Sequence, residues 1–224
     1  MGKKALVAGA TGLVGQELVD LLLNHNAYHK VIVLVRREMN ITHPKLEQQI
    51  IDFEQLEHLS PDLVAGADIF CALGTTIKKA KTKQNFMRVD YDYPMTLGRL
   101  AKRHGAEKML IVTAMGASEK SMFFYSRVKG KVEEDLKGLG LDSLHIFRPS
   151  LITGDRQEHR FGEQAASAIG RKLPFLFKGK MEKYKPIAAR TIAQAMVNAA
   201  ASNIRSSTMM NSDEMARLSV KGLQ

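Results

Sequence analysis

Cysteine is nearly absent from this chain of 224 residues, where Cys71 stands alone. One thiol can neither close an intramolecular disulfide nor build a cysteine metal cluster, so the sequence fits a reducing compartment, with the cytoplasm as the expected location. Long apolar runs are also missing. The longest, such as Leu18 to Leu23 with Asp20 inside it, fall far short of the ~20 residues that a bilayer-crossing helix needs, so no membrane span is expected. The chain reads Met1-Gly2-Lys3-Lys4 and then enters an apolar run that already looks like a strand. A cleavable leader is therefore not expected. Leu6 occupies the position where a myristoylation signal needs Ser or Thr. No Pro-, Ser- or Gly-rich linker and no internal repeat interrupts the sequence, and one domain over 1–224 is expected, with 150–186 as a small substrate or lid region.

Acidic residues are in deficit. Against 23 Asp and Glu stand 33 Lys and Arg, giving a formal charge of +10 and a pI near 9.7. Such a balance suits an anionic partner, whether a nucleotide phosphate or an acidic substrate, although much of it can be plain solvated surface. The densest basic cluster, Lys78-Lys79-Ala80-Lys81-Thr82-Lys83, has no interleaved aromatics on which bases could stack, and a nucleic-acid partner is not expected.

What is present is an alternation of short apolar runs and helical periodicities. Strands are expected at Lys4–Ala8, Val31–Val35, Gln49–Asp52, Asp68–Leu73, Met109–Thr113 and Ser143–Arg148. Helices are expected over 13–24, 82–104 (stopped by Gly105), 122–139, 163–169, 189–200 and 212–218. This order predicts an α/β protein of the Rossmann type, a doubly wound parallel sheet with helices on both faces.

The first strand runs into Val7-Ala8-Gly9-Ala10-Thr11-Gly12-Leu13-Val14-Gly15. Glycine at three spaced positions between a strand and a helix permits a tight turn, a close backbone approach to a pyrophosphate, and close packing of helix on strand. Helix N-terminal N–H groups then face the phosphates. At the end of the second strand an NAD-binding protein would present a carboxylate to the ribose 2′-hydroxyl. That carboxylate is missing, and Arg36 and Arg37 stand there instead. Guanidinium groups would fork onto a 2′-phosphate, which points to NADP(H). Asp52 is a candidate acceptor for the adenine amino group, with loop capping as the competing role. Leu73, Gly74 and Thr75 follow the fourth strand where a cofactor would pass.

Tyr125 and Lys129 lie four residues apart and share one helix face. An ammonium beside a phenol favours its ionised form, which suits the pair to carbonyl–alcohol interconversion, and the same lysine can hold the nicotinamide ribose. A third group is needed to polarise the substrate oxygen. Thr113 at the end of the fifth strand is the favoured hydroxyl, with Ser118 and Ser121 as alternatives that equally suit turn or cap positions.

With these residues in place, the chain resembles the atypical short-chain dehydrogenase/reductases through Gly9-x-x-Gly12-x-x-Gly15 and Tyr125-x-x-x-Lys129. More narrowly, Leu73-Gly74-Thr75-Thr76, Arg88-Val89-Asp90, Thr113-Ala114-Met115-Gly116-Ala117, Val128-Lys129-Gly130 and Phe147-Arg148-Pro149-Ser150 through Gly154-Asp155-Arg156-Gln157-Glu158 resemble the Tat-interacting oxidoreductase family. The resemblance spans nearly the whole chain. It implies NADPH binding, with Arg148 among the cofactor-side residues, and a catalytic set of Thr113, Tyr125 and Lys129. Relatives often have consecutive serines where Thr113-Ala114 stands here. The expected activity is NADPH-dependent oxidoreduction of a small carbonyl or alcohol. The alternative is a non-catalytic NADPH-binding regulator acting through a protein partner, and monomer or homodimer is left open.

Overall fold

The computed structural model describes residues 2–154 and 179–221. Seven strands form one parallel sheet in the order β3-β2-β1-β4-β5-β6-β9. They are β1 (Lys3–Ala8), β2 (Tyr28–Val35), β3 (Leu46–Ile50), β4 (Ala67–Cys71), β5 (Lys108–Val112), β6 (Leu144–Arg148) and β9 (Thr208–Asn211). Two-residue strands β7 (Ile152–Thr153) and β8 (Ile187–Ala188) pair with each other in parallel. The long helices are α1 (Leu13–Asn24), α5 (Tyr93–His104), α6 (Phe124–Gly138), α7 (Ala189–Ala201) and α8 (Ser212–Lys221). Shorter helices α2 (Pro61–Val64), α3 (Ile77–Ala80) and α4 (Lys83–Met87) lie between β3 and α5.

Because side chains alternate across a strand, neighbouring residues of one strand feed different cores. Ala5 and Val7 of β1 join Val31, Phe70, Leu110 and Phe147 on the face covered by α1 and α7. Leu6 and Ala8 join Ile32, Ile69, Ile111 and Ile146 on the face covered by α5 and α6. Both faces of the central strands are therefore apolar, as a parallel sheet with two helical layers requires. The doubly wound expectation is met, and the strand order reverses between β1 and β4, which opens a crevice at their carboxyl ends.

Several boundaries differ from expectation. β3 spans Leu46–Ile50 rather than Gln49–Asp52, and as an edge strand of half-buried residues it carries no clean apolar signal. β9, with the sequence Thr-Met-Met-Asn, is half-buried at the opposite edge and was not foreseen. The expected helix 163–169 lies outside the described residues.

The helix expected over 82–104 is met over 83–104, N-capped by Thr82 and widened by one π turn on the way. Lys81 has φ 65°, which separates α3 from α4. After α4 the chain widens into a π turn at Arg88–Asp92, with the Tyr93 N–H bonded five residues back to the Arg88 carbonyl. Pro94 explains the widening, since it has no N–H for the Asp90 carbonyl and its ring would crowd that oxygen in a regular helix. Gly105 ends α5 in the left-handed conformation at φ 67°, as expected. Ser150, just after β6, is tied to the start of α8: its N–H donates to Ser212 Oγ at 2.8 Å and the two hydroxyls lie 3.0 Å apart.

Candidate functional site

A cleft of about 1120 Å³ lies at the carboxyl ends of the strands. Its floor is the turn between β1 and α1, which works because of what glycine omits. Gly9 has φ +88°, and a Cβ there would sit 2.6 Å from the Ala72 carbonyl, so only glycine lets this turn pass against the end of β4. At Gly15 a Cβ would fall 2.0 Å from the Gly9 carbonyl oxygen, so α1 closes onto the turn only without one. Gly12 is the N-cap of α1 and supplies no side chain to the first-turn N–H groups, which leaves them for an anion in the cleft. Thr11, Gly12 and Leu13 line the cleft, while Ala10, Val14 and Gly15 are buried beneath it. The missing Cβ atoms and uncapped amides fit a dinucleotide pyrophosphate.

Arg36 lines the cleft beyond the end of β2, and Arg37 beside it is exposed. Asp52 also reaches the cleft, but its Oδ1 accepts the Glu54 N–H at 3.0 Å and caps the turn Phe53–His58, so the capping role is the one observed. Leu73, Gly74 and Thr75 form the opposite wall. Gln16, Arg88 and Tyr93 line the same cleft without having been singled out from the sequence.

Buried charges lie behind the Gly74 wall, while Tyr125 and Lys129 themselves are not among the residues that line the cleft. Tyr125 lies on the first turn of α6 with its ring 5.6 Å from that of Phe86, and it is partly exposed. One turn on, Lys129 is buried, with its Nζ 2.8 Å from Oδ1 of the fully buried Asp90. The other Asp90 oxygen, Oδ2, accepts the Thr75 N–H at 2.9 Å. Burial alone would lower the Lys129 pKa, but the charge of Asp90, with a smaller contribution from Tyr125, outweighs it and raises the value, so Lys129 stays an ammonium. Burial pushes the nearby Cys71 thiol up to about 11, which keeps it protonated and inert.

Thr113 is placed otherwise than a substrate-orienting hydroxyl requires. It is buried, and its hydroxyl donates to Glu133 Oε1 at 2.5 Å. Glu133 is fully buried on α6 and is forked by Arg148, whose Nε lies 3.0 Å from both carboxylate oxygens and whose Nη2 completes the ion pair. Both Thr113 and Arg148 are thus committed to Glu133. Ser118 and Ser121 make the turn contacts their residue type favours: Ser118 Oγ accepts from Lys120 N and Ser121 Oγ from Phe123 N. Ser118 is exposed, and its backbone lies where a Cβ on Gly130 would be, at 2.2 Å, so the loop after β5 rests directly on α6 beside Lys129. Asp90 and Glu133 were missed in the sequence. The available signal was a lone acid at i+4 from Lys129 on the buried stripe of α6 and an aspartate four residues before Pro94.

The profile of the NAD(P)H-binding family matches residues 9–203, from the glycine turn to the end of α7. HTATIP2 of Rattus norvegicus is 36% identical over 176 residues, covering 77% of this chain and 72% of that protein. FMP52 of Eremothecium gossypii is 31% identical over 207 residues, covering 90% of both. The chain belongs to the NAD(P)H-binding family of HTATIP2 and FMP52. FMP52 is named as a mitochondrial protein, so the expectation of a cytoplasmic location draws no support from that relative. No helix among the described residues is long and apolar enough to cross a membrane.

Solved structures show the family fold at lower identity. MoeE5 in complex with UDP-glucose and NAD superposes with a TM-score of 0.68 at 15% identity, covering 99% of this chain and 82% of that one. WbmH of Bordetella bronchiseptica in complex with NAD+ gives 0.69 at 18% identity, covering 95% and 76%. These likenesses show the fold alone, and the family match over 9–203 makes the chain an NAD(P)H-binding protein.

Proposed function

We propose that the chain is an NADPH-dependent oxidoreductase of the short-chain dehydrogenase/reductase type that interconverts a small carbonyl compound and its alcohol. The observation that carries this reading is the pair Tyr125 and Lys129 on one face of α6, with Lys129 held charged by a buried carboxylate directly behind Gly74 of the cleft wall. Thr11, Gly12 and Leu13 would hold the pyrophosphate, and Arg36 with Arg37 the 2′-phosphate, through charge-assisted hydrogen bonds. The reduced nicotinamide supplies the hydride. Tyr125 donates its phenolic proton to the substrate oxygen, and the Lys129 ammonium holds the ribose and favours the phenolate left behind. Thr113 anchors the end of β5 to Glu133, and the orienting hydroxyl passes to the exposed Ser118.

Turnover of NADPH across a panel of aldehydes and ketones tests this reading. Tyr125→Phe should reduce kcat about a hundredfold or more with NADPH binding retained, and an unchanged rate would sink the assigned role. If NADPH binds but no carbonyl is consumed, the reading gives way to a non-catalytic NADPH-responsive regulator. Met122 and Phe123, exposed at 94% and 78% immediately before Tyr125, favour that second reading by offering a protein partner an apolar contact surface.

A further inference from the structure

We infer that Asp90 is a positioning residue which holds Lys129 charged and joins it to the cofactor-facing loop Gly74–Thr75. The inference rests on the role proposed above for Lys129 and names the group that makes it available. Asp90 reaches the site only because the helix is widened at Arg88–Asp92, a distortion of the kind that concentrates at functional positions. Its two oxygens go to different elements. Oδ1 faces the Lys129 ammonium on α6 at 2.8 Å, and Oδ2 accepts the Thr75 amide at 2.9 Å in the loop that follows β4. Three elements converge on one carboxylate.

A purely structural role accounts poorly for this choice. Withdrawing two charges from water costs several kcal/mol each, and an apolar pair of similar volume would serve the packing at least as well. The pair also lies directly behind Gly74 of the cleft wall. A Cβ on Gly74 would stand 3.5 Å from Asp90 Oδ1 and 3.7 Å from Lys129 Nζ, and Gly74 itself lines the cleft. Any side chain at that position would lie over the pair. With bare backbone there, the ammonium is buried from bulk water yet adjacent to the space a cofactor takes. The charged and titratable groups that act on Lys129 are Asp90 from the π turn, Tyr125 from its own helix and the protonated Cys71 from β4. Asp90 is the strongest of them and opposes the desolvation that would otherwise discharge the lysine.

The deciding experiment follows the Lys129 Nζ by NMR in protein carrying 15N-labelled lysine, with the resonance assigned by its loss in Lys129→Arg. In Asp90→Asn the Thr75 amide keeps an acceptor but the negative charge is gone. Lys129 should then lose its proton at a lower pH than in the wild type, and Asp90→Glu should restore the titration toward the wild type. A Lys129 titration in folded Asp90→Asn that superposes on the wild type overturns the inference. If Asp90→Asn does not fold, the double variant Asp90→Asn/Lys129→Met is expected to fold because no unpaired charge stays buried. A double variant as unfolded as the single one overturns the inference too. The titration reads Asp90 whether or not a substrate is found, so a wild-type protein that turns over nothing counts against the reductase reading alone.

Discussion

The two halves of the candidate site are made of different material. At the glycine end, between Gly9 and Gly15, recognition is built from backbone: absent Cβ atoms, a positive φ at Gly9 and uncapped amides at the head of α1. At the Tyr125 end it is built from side chains whose charges are paired out of water, with Asp90 on Lys129 and Glu133 on Arg148. The first end tolerates no added atom, because the nearest neighbours are backbone that cannot swing aside. The second tolerates changes of shape better than changes of charge. On the proposed reading, binding the cofactor and tuning the reaction depend on separable parts of the molecule.

The largest expected effect comes from adding a single carbon at the glycine end. Gly15→Ala places a Cβ 2.0 Å from the Gly9 carbonyl oxygen, so the turn must open. Titration of NADPH fluorescence should show a loss of affinity of about a thousandfold, ~4 kcal/mol, or an unfolded protein. Near-native binding would mean that the turn is softer than its contacts indicate, and the contrast between the ends would fail. Next comes a change of charge without a change of size. Glu133→Gln leaves the Arg148 guanidinium without its counter-charge, and urea denaturation should show a loss of about 3 kcal/mol, toward the lower end for broken buried pairs because Arg148 is partly exposed. A cost below about 1 kcal/mol would place that pair with surface salt bridges. The smallest effect should come from the rim. Arg36→Ala is expected to weaken NADPH binding about tenfold, ~1.4 kcal/mol, with NADH nearly unaffected. Equal weakening of both would remove the 2′-phosphate role from Arg36.

Legibility in the sequence follows the same division. The glycine turn, α1 and the central strands could be read because each leaves a local trace. Spaced glycines mark the turn, and continuous apolar runs such as Val31 to Val35 mark strands covered on both faces. Tyr125 and Lys129 were legible as neighbours because helical spacing alone brings residues four apart to one face. The partners of those side chains were not legible. Asp90 meets Lys129 from 39 positions away, and only after Pro94 has forced a widened turn that no periodicity announces. Thr113 and Arg148 were read as the ends of the fifth and sixth strands, but Glu133 takes up both groups, and nothing local reveals a partner 15 to 20 residues distant. Edge strand β9 escaped and the bounds of β3 were misplaced because a strand with half-buried side chains carries as many polar residues as a loop.

The link between Ser150 and Ser212 acts as a clasp at the base of everything the chain builds between β6 and α8. With both ends of that stretch pinned to the same edge of the sheet, a change in its length need not be transmitted to the strands below. Closing a longer loop is cheap, about 0.6 kcal/mol for each doubling. Residues inserted after Thr153 would therefore lengthen that stretch while leaving strand register and the glycine turn as they are. The clasp gives this scaffold a place where new specificity can be added to an unchanged cofactor site.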